Sequence, residues 1–162
     1  MAEIILGVGE FAASKQPDDT LKTYALGSCI AVIFMDPKAR IIGMDHIALP
    51  ESRVDAHQAQ KCPGYFADTG IPALLRKMSD LGSTAKGKSM IVKLIGGASV
   101  LEKNNSFNIG KRNYLAIKKI LWKYGMGPRA EDVGGSLSRT VSIDLRTGKA
   151  KVSSPNREDI LI

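Results

Sequence analysis

The sequence predicts a layered α+β or α/β domain, and three observations lead to that class. Short runs rich in Ile, Val and Phe, such as Cys29–Met35, are bounded by Gly, Pro and Asp, which is the patterning of strands. Two longer segments, about Phe66–Leu81 and Ile109–Tyr124, carry apolar residues at helical spacing. The chain has 162 residues, enough to bury a substantial core, and residues 1–162 are expected to form one domain.

The elements follow in order. Glu3–Val8 reads as a short strand. Gly7 to Ala12 then matches a relaxed dinucleotide fingerprint, G-x-G-x-x-A, but that motif needs a helix to open there, and Pro17 cuts any such helix short. Leu21–Leu26 is a strand, Gly27-Ser28 a break, and Cys29–Met35 a second strand. Asp36-Pro37-Lys38-Ala39 has type I turn chemistry, and Arg40–Leu49 returns as a strand. Pro50–Gly64 is polar and reads as a loop. The helix over Phe66–Leu81 contains Pro72, so it is expected to start late or kink. Ser89–Ile95 is a strand ending in Gly96-Gly97. In Ile109–Tyr124, the residues Ile117, Ile120, Leu121 and Tyr124 share a face, and Gly125 supplies the stop. Two closing strands are expected at about Thr140–Leu145 and Lys149–Ser153.

Composition narrows the setting. The net charge is +7, but the basic residues form no block. Arg112, Lys119 and Lys123 lie in one stripe of a predicted helix, the pattern of a solvated face, with a partner-binding patch as the alternative. Net charge alone does not make a nucleic-acid groove, so nucleic acid is not an expected partner. The apolar runs are too short to span a bilayer, and no secretory signal is expected from the opening residues. Cys29 and Cys62 do not make a disulfide framework. A cytoplasmic location, with a free thiol, is expected.

The hairpin around Asp36-Pro37 carries the chemistry. If Asp36–Ala39 is a four-residue loop, Met35 faces Arg40, Ile33 faces Ile42, Ala31 faces Met44 and Cys29 faces His46. Directly opposed residues share a side of the sheet, with Cβ atoms about 5 Å apart. A thiol beside an imidazole can lose its proton to it and attack a carbonyl carbon as thiolate, held as an ion pair. Gly27 and Ser28 leave room for a substrate and offer backbone N–H groups to an oxyanion. Asp45 adjoins His46 but points to the opposite face of the strand. Thr23 is a candidate to orient the histidine through its hydroxyl. Two other readings compete: a buried cysteine and a satisfied core histidine, or zinc ligation by Cys29, His46, His57 and Cys62. Their spacing lacks the close pairs of structural zinc sites, and no metal or other cofactor is expected.

Several blocks in order extend this reading: Gly7-Val8-Gly9-Glu10; Thr23 with Leu26-Gly27-Ser28-Cys29; Asp36-Pro37; Asp45 to Pro50; Ala67-Asp68; Ile95 to Ser99; Asn108-Ile109-Gly110 with Asn113; and Ala130-Glu131-Asp132 with Gly134-Gly135. Together they resemble the bacterial CheD family of chemoreceptor glutamine deamidases over most of the chain. The resemblance implies a Cys29-His46-Thr23 triad that converts receptor glutamines to glutamate through a thioester on Cys29. Glutamyl methyl esters would be hydrolysed by the same route. It also implies an α/β/α sandwich with mixed, largely antiparallel sheets, related to deamidating toxins. The implied partners are chemoreceptor cytoplasmic domains and a CheC-type phosphatase; a non-catalytic docking module for either is the alternative. The chain departs from the family pattern at Phe66, where tyrosine is expected, and at Val133, where threonine is common.

Overall fold

The computed structural model describes residues 2–99 and 108–162. Among the described residues, ten strands form two five-stranded sheets. The first holds, in spatial order, β1 (Glu3–Leu6), β3 (Thr20–Leu26), β8 (Arg139–Asp144), β9 (Ala150–Ser154) and β10 (Arg157–Leu161). The second holds β2 (Phe11–Ser14), β5 (Ile41–Ile47), β4 (Ile30–Asp36), β6 (Ile91–Gly96) and β7 (Pro128–Val133). Pairing is antiparallel except for β1 with β3 and β6 with β7.

Two cores follow from the period-2 alternation of the central strands. On one side of β4, Ala31, Ile33 and Met35 meet Leu21, Val141, Ile143 and Val152 of the first sheet. On its other side, Ile30, Val32 and Phe34 meet the apolar faces of α2 (Ala67–Asp80) and α3 (Ile109–Lys123), through Ile71, Leu74, Ile117 and Leu121. Every residue of β4 is buried because both its faces are covered. The expected class, a layered α+β domain with mixed and largely antiparallel sheets, is the one observed. The layers run helices, sheet, sheet. The helical third layer implied by the resemblance is taken by the first sheet, because both long helices turn their apolar stripes to the same face of β4–β6.

Other differences have local causes. The loop of the β4–β5 hairpin is Pro37-Lys38-Ala39-Arg40, with Asp36 paired to Ile41. Asp36 is kept in the strand by its carboxylate, which accepts from the N–H of Ala39 at 2.9 Å and from Ser83 Oγ at 2.7 Å. Arg40 takes up the left-handed conformation (φ 56°) that closes the loop. The segment after Pro50 is not plain loop; it contains α1 (Ala56–Lys61) flanked by short 3-10 turns. Asp55 caps α1 by accepting from Gln58 N at 3.0 Å. Helix α2 starts at Ala67 and keeps Pro72 inside it. Phe11–Ser14 is strand rather than helix, which removes the dinucleotide motif's structural requirement. Among the described residues, no helix is long and apolar enough to cross a membrane.

Candidate active site

The two sheets bring Thr23 and His46 together across the core between them. Thr23 sits on β3 with its side chain facing inward, and it is fully buried. His46 is 3% exposed on β5, facing the same space. Thr23 Oγ1 lies 2.6 Å from His46 Nδ1 and 2.8 Å from the carbonyl oxygen of Leu6. A hydroxyl has one proton to donate. The Leu6 carbonyl can only accept, so Thr23 donates to it and accepts from His46 Nδ1–H. The imidazole is thereby held as the Nδ1–H tautomer, with Nε2 carrying the free lone pair.

Cys29 stands just before β4, partly exposed, and packs against the same inter-sheet core. The hairpin register differs from the expected one by two positions: Ala31, not Cys29, lies opposite His46. A shift of two preserves the face, so the thiol remains on the side of the imidazole but on the diagonal, packed against the inter-sheet core rather than directly opposite. The thiol and the imidazole are not hydrogen-bonded to each other here. Burial pushes the His46 pKa down to about 4. Burial also pushes the Cys29 thiol up, against a smaller opposite effect from its own backbone N–H. Both directions favour a neutral thiol and a neutral imidazole at rest, not the ion pair expected from the motif. Accordingly, the rate of Cys29 alkylation by iodoacetamide should climb steadily from about pH 6 to about pH 9. A rate already at its plateau below neutrality would contradict this and show a resting ion pair.

The backbone around Cys29 is anchored on every carbonyl. Gly27 O accepts from Ala98 N at 2.8 Å, and Cys29 O accepts from Gly97 N at 2.9 Å. Ser28 O accepts from Asn113 Nδ2 at 3.0 Å, and the same nitrogen donates to Ala48 O, also at 3.0 Å. The Gly96-Gly97 and Gly134-Gly135 pairs shape turns beside this loop, joined by Gly134 N donating to Gly96 O at 2.9 Å. Gly96 has φ 120°, and a Cβ there would collide with the carbonyl oxygen of Cys29, so only glycine lets β6 pass this close. Arg139, 5% exposed, donates to Gly134 O at 2.8 Å and to Asp132 Oδ2 at 3.0 Å, fixing the turn from below.

The remaining candidates are dispersed. His57 is exposed on α1, and Cys62 Sγ donates to Gly9 O at 3.0 Å. The four residues weighed as zinc ligands are therefore not gathered, and among the described residues no three His, Cys, Asp or Glu side chains cluster to hold a metal. Asp68 accepts from both the N–H and the hydroxyl of Ser52, at 2.9 Å each, at the start of α2. Asp45 faces away from His46, as strand alternation requires. It is fully buried, and neither oxygen has a partner among the described residues. Gly64 and Gly70 make room for its carboxyl; a Cβ on Gly64 would lie 2.8 Å from Oδ1.

Burial raises the Asp45 pKa well above the usual carboxylate range. The folded state therefore prefers the protonated acid. Its stabilising influence is complete below the unfolded pKa of about 3.9 and is lost as pH rises through the folded value. Asp45→Asn removes this loss. It should raise the free energy of unfolding by at least about 1 kcal/mol at neutral pH, with the gain shrinking toward acid, as measured by urea denaturation. A variant no more stable than the parent at neutral pH would contradict this account of the carboxyl.

Sequence reasoning named Asn113 only within a matching block and gave it no role. The signal was present: it occupies a core position of α3, between Gly110 and Ile117 on the buried stripe, where an amide is out of place unless it serves backbone groups.

The fold and site together define a class: a two-sheet α+β domain whose inter-sheet core holds a histidine bonded to a buried threonine, with a partly exposed cysteine packed against the same core. Residues 48–154 match the family model described as CheD chemotactic sensory transduction, and the chain belongs to the CheD family. It is 55% identical to a "Probable chemoreceptor glutamine deamidase CheD" of Syntrophotalea carbinolica, over 97% of each chain. It is 45% identical to a "Probable chemoreceptor glutamine deamidase CheD 1" of Syntrophus aciditrophicus, over 95% of each. It is 38% identical to the "Chemoreceptor glutamine deamidase CheD" of Thermotoga maritima, over 91% of this chain and 89% of that one.

Proposed function

We propose that residues 1–162 act as one catalytic domain, a protein-glutamine deamidase of bacterial chemotaxis with Cys29 as nucleophile, His46 as base and Thr23 as the residue that orients His46. The observation that carries this reading is the Thr23 hydroxyl, donating to Leu6 O and accepting from His46 Nδ1–H, which leaves Nε2 as a base on the face where Cys29 sits. The names of the relatives, chemoreceptor glutamine deamidases, supply the substrate class.

His46 Nε2 takes the thiol proton as sulfur attacks the carboxamide carbon of a receptor glutamine. The tetrahedral intermediate collapses with cleavage of the C–N bond, and the proton on His46 passes to the departing nitrogen, which leaves as ammonia. A γ-glutamyl thioester remains on Cys29. Water, deprotonated by His46, attacks it; the C–S bond breaks, and glutamate and the free thiol are released. A glutamyl methyl ester would enter the same sequence with methanol as leaving group. Gly27 and Ser28 give the side chain room to approach, and backbone N–H groups of this loop serve the oxyanion. On this reading the substrates are cytoplasmic domains of chemoreceptors, and a CheC-type phosphatase is a binding partner.

Incubation of the protein with a chemoreceptor cytoplasmic fragment should convert particular glutamines to glutamate, followed by peptide mass spectrometry. A fragment that binds the protein and is recovered unconverted would overturn the enzyme reading in favour of a docking module.

A further inference from the structure

Among the described residues, none of the backbone N–H groups of Gly27, Ser28 and Cys29 donates to an oxygen, although all three carbonyls of this stretch are bonded. The peptide unit is planar, and no cis bond is present among the described residues, so each C=O is antiparallel to the N–H of the next residue. Drawing Gly27 C=O inward to Ala98 turns Ser28 N–H outward. Drawing Ser28 C=O inward to Asn113 turns Cys29 N–H outward. Ala98 is 1% exposed and Asn113 fully buried, whereas Ser28 and Cys29 are partly exposed, so outward is the side from which substrate arrives.

Resting on the thiol reading above, we propose that the N–H groups of Ser28 and Cys29 form the oxyanion hole, and that Asn113 is the positioning residue that aims the second of them. The two groups Asn113 contacts are both carbonyl oxygens, so its side-chain nitrogen must face them, and its two protons serve one each. Ala48 lies two residues beyond His46, so one amide ties the nucleophile loop to the strand carrying the base. Its own Oδ1 is buried without a partner among the described residues. An orphaned acceptor of this kind is costly, so the amide is better explained by what it orients than by a gain in stability.

The test compares two reactions of the same thiol. A short receptor-fragment peptide with an aldehyde in place of the glutamine carboxamide adds to Cys29: the S–C bond forms, and the carbonyl oxygen takes up the negative charge or the thiol's proton. Iodoacetamide instead alkylates sulfur by displacing iodide and develops no oxyanion. In Asn113→Leu, of similar volume, aldehyde affinity and kcat should each fall about 10²-fold, while KM and the iodoacetamide rate stay within about threefold of the parent. Equal loss in both reactions would make Asn113 a purely structural residue and overturn the proposal, as would no loss in either. If Asn113→Leu does not fold, the parent decides: the amide proton resonances of Ser28 and Cys29 should shift downfield on aldehyde addition, and unmoved resonances overturn the proposal. A parent protein that forms no aldehyde adduct at Cys29 overturns the thiol reading itself; an adduct indifferent to Asn113 overturns only the oxyanion-hole assignment.

Discussion

Cys29→Ala is expected to lower glutamine conversion in a receptor fragment by at least about 10⁴-fold, because it removes the atom that forms the acyl-enzyme. The only other thiol cannot substitute. Cys62 is bonded to Gly9 O, and it lies with Asp45 and Gly64 on the face of β5 turned away from His46. The fold should survive the change, since Cys29 is partly exposed and its side chain makes no hydrogen bond to another residue among those described. Peptide mass spectrometry of the fragment reads the result directly. Conversion within about tenfold of the parent would leave the thiol without a catalytic role.

His46→Ala should lower kcat by about 10³-fold, the range of a lost general base. The physical reason is the neutral resting pair. With the thiol pKa raised and the imidazole pKa lowered to about 4, proton transfer before attack is uphill, so His46 must receive the proton as the S–C bond forms. The sign of the pH dependence follows. A base with a depressed pKa stays unprotonated, and therefore competent, down to about pH 4, so the acid limb of kcat/KM should fall near that value and not near the ordinary histidine value of about 6.5. Stability carries the same signature. Between these values the unfolded chain binds the proton and the folded one does not, so His46 destabilises the fold progressively as pH drops through that window. In His46→Ala the fall near pH 4 should be replaced by a residual rate that rises with thiol ionisation alone. A variant that kept the parent's acid limb and rate would remove His46 from the mechanism.

How far these features could be read from the residues depends on what sets each one. The hairpin was legible because Asp36-Pro37 is strong turn chemistry and the flanking runs are rich in β-branched residues. Its register was not, because four-residue loops starting at Asp36 or at Pro37 share three of their four residues. The choice rests on Ser83, Thr84 and Ala85, distant in sequence, which bind the Asp36 carboxylate. The two alternatives differ by an even shift, so the inference that Cys29 and His46 share a face survived the error. Direct opposition did not.

The missed strands share a cause as well. β2, β7 and β10 are sheet edges, and Phe11–Ser14, Pro128–Val133 and Arg157–Leu161 carry small, charged or proline residues that discourage further pairing. What holds β10 is non-local: Val152 opposite Ile160, and Arg157 reaching Asp132 at 2.7 Å. Thr23 was visible as a residue near the nucleophile. Its role depends on two sheets stacking so that β3 and β5 meet, which no local pattern encodes.

The claim on which the account turns is that sulfur at position 29 carries the glutamyl group between attack and hydrolysis. Intact-protein mass spectrometry after rapid acid quench of the protein with a receptor-fragment peptide tests it most directly. The prediction is a transient adduct on Cys29 whose mass is that of the peptide less ammonia, labile to hydroxylamine as a thioester is. Conversion proceeding at full rate with no such adduct, and undiminished in Cys29→Ala, would contradict it.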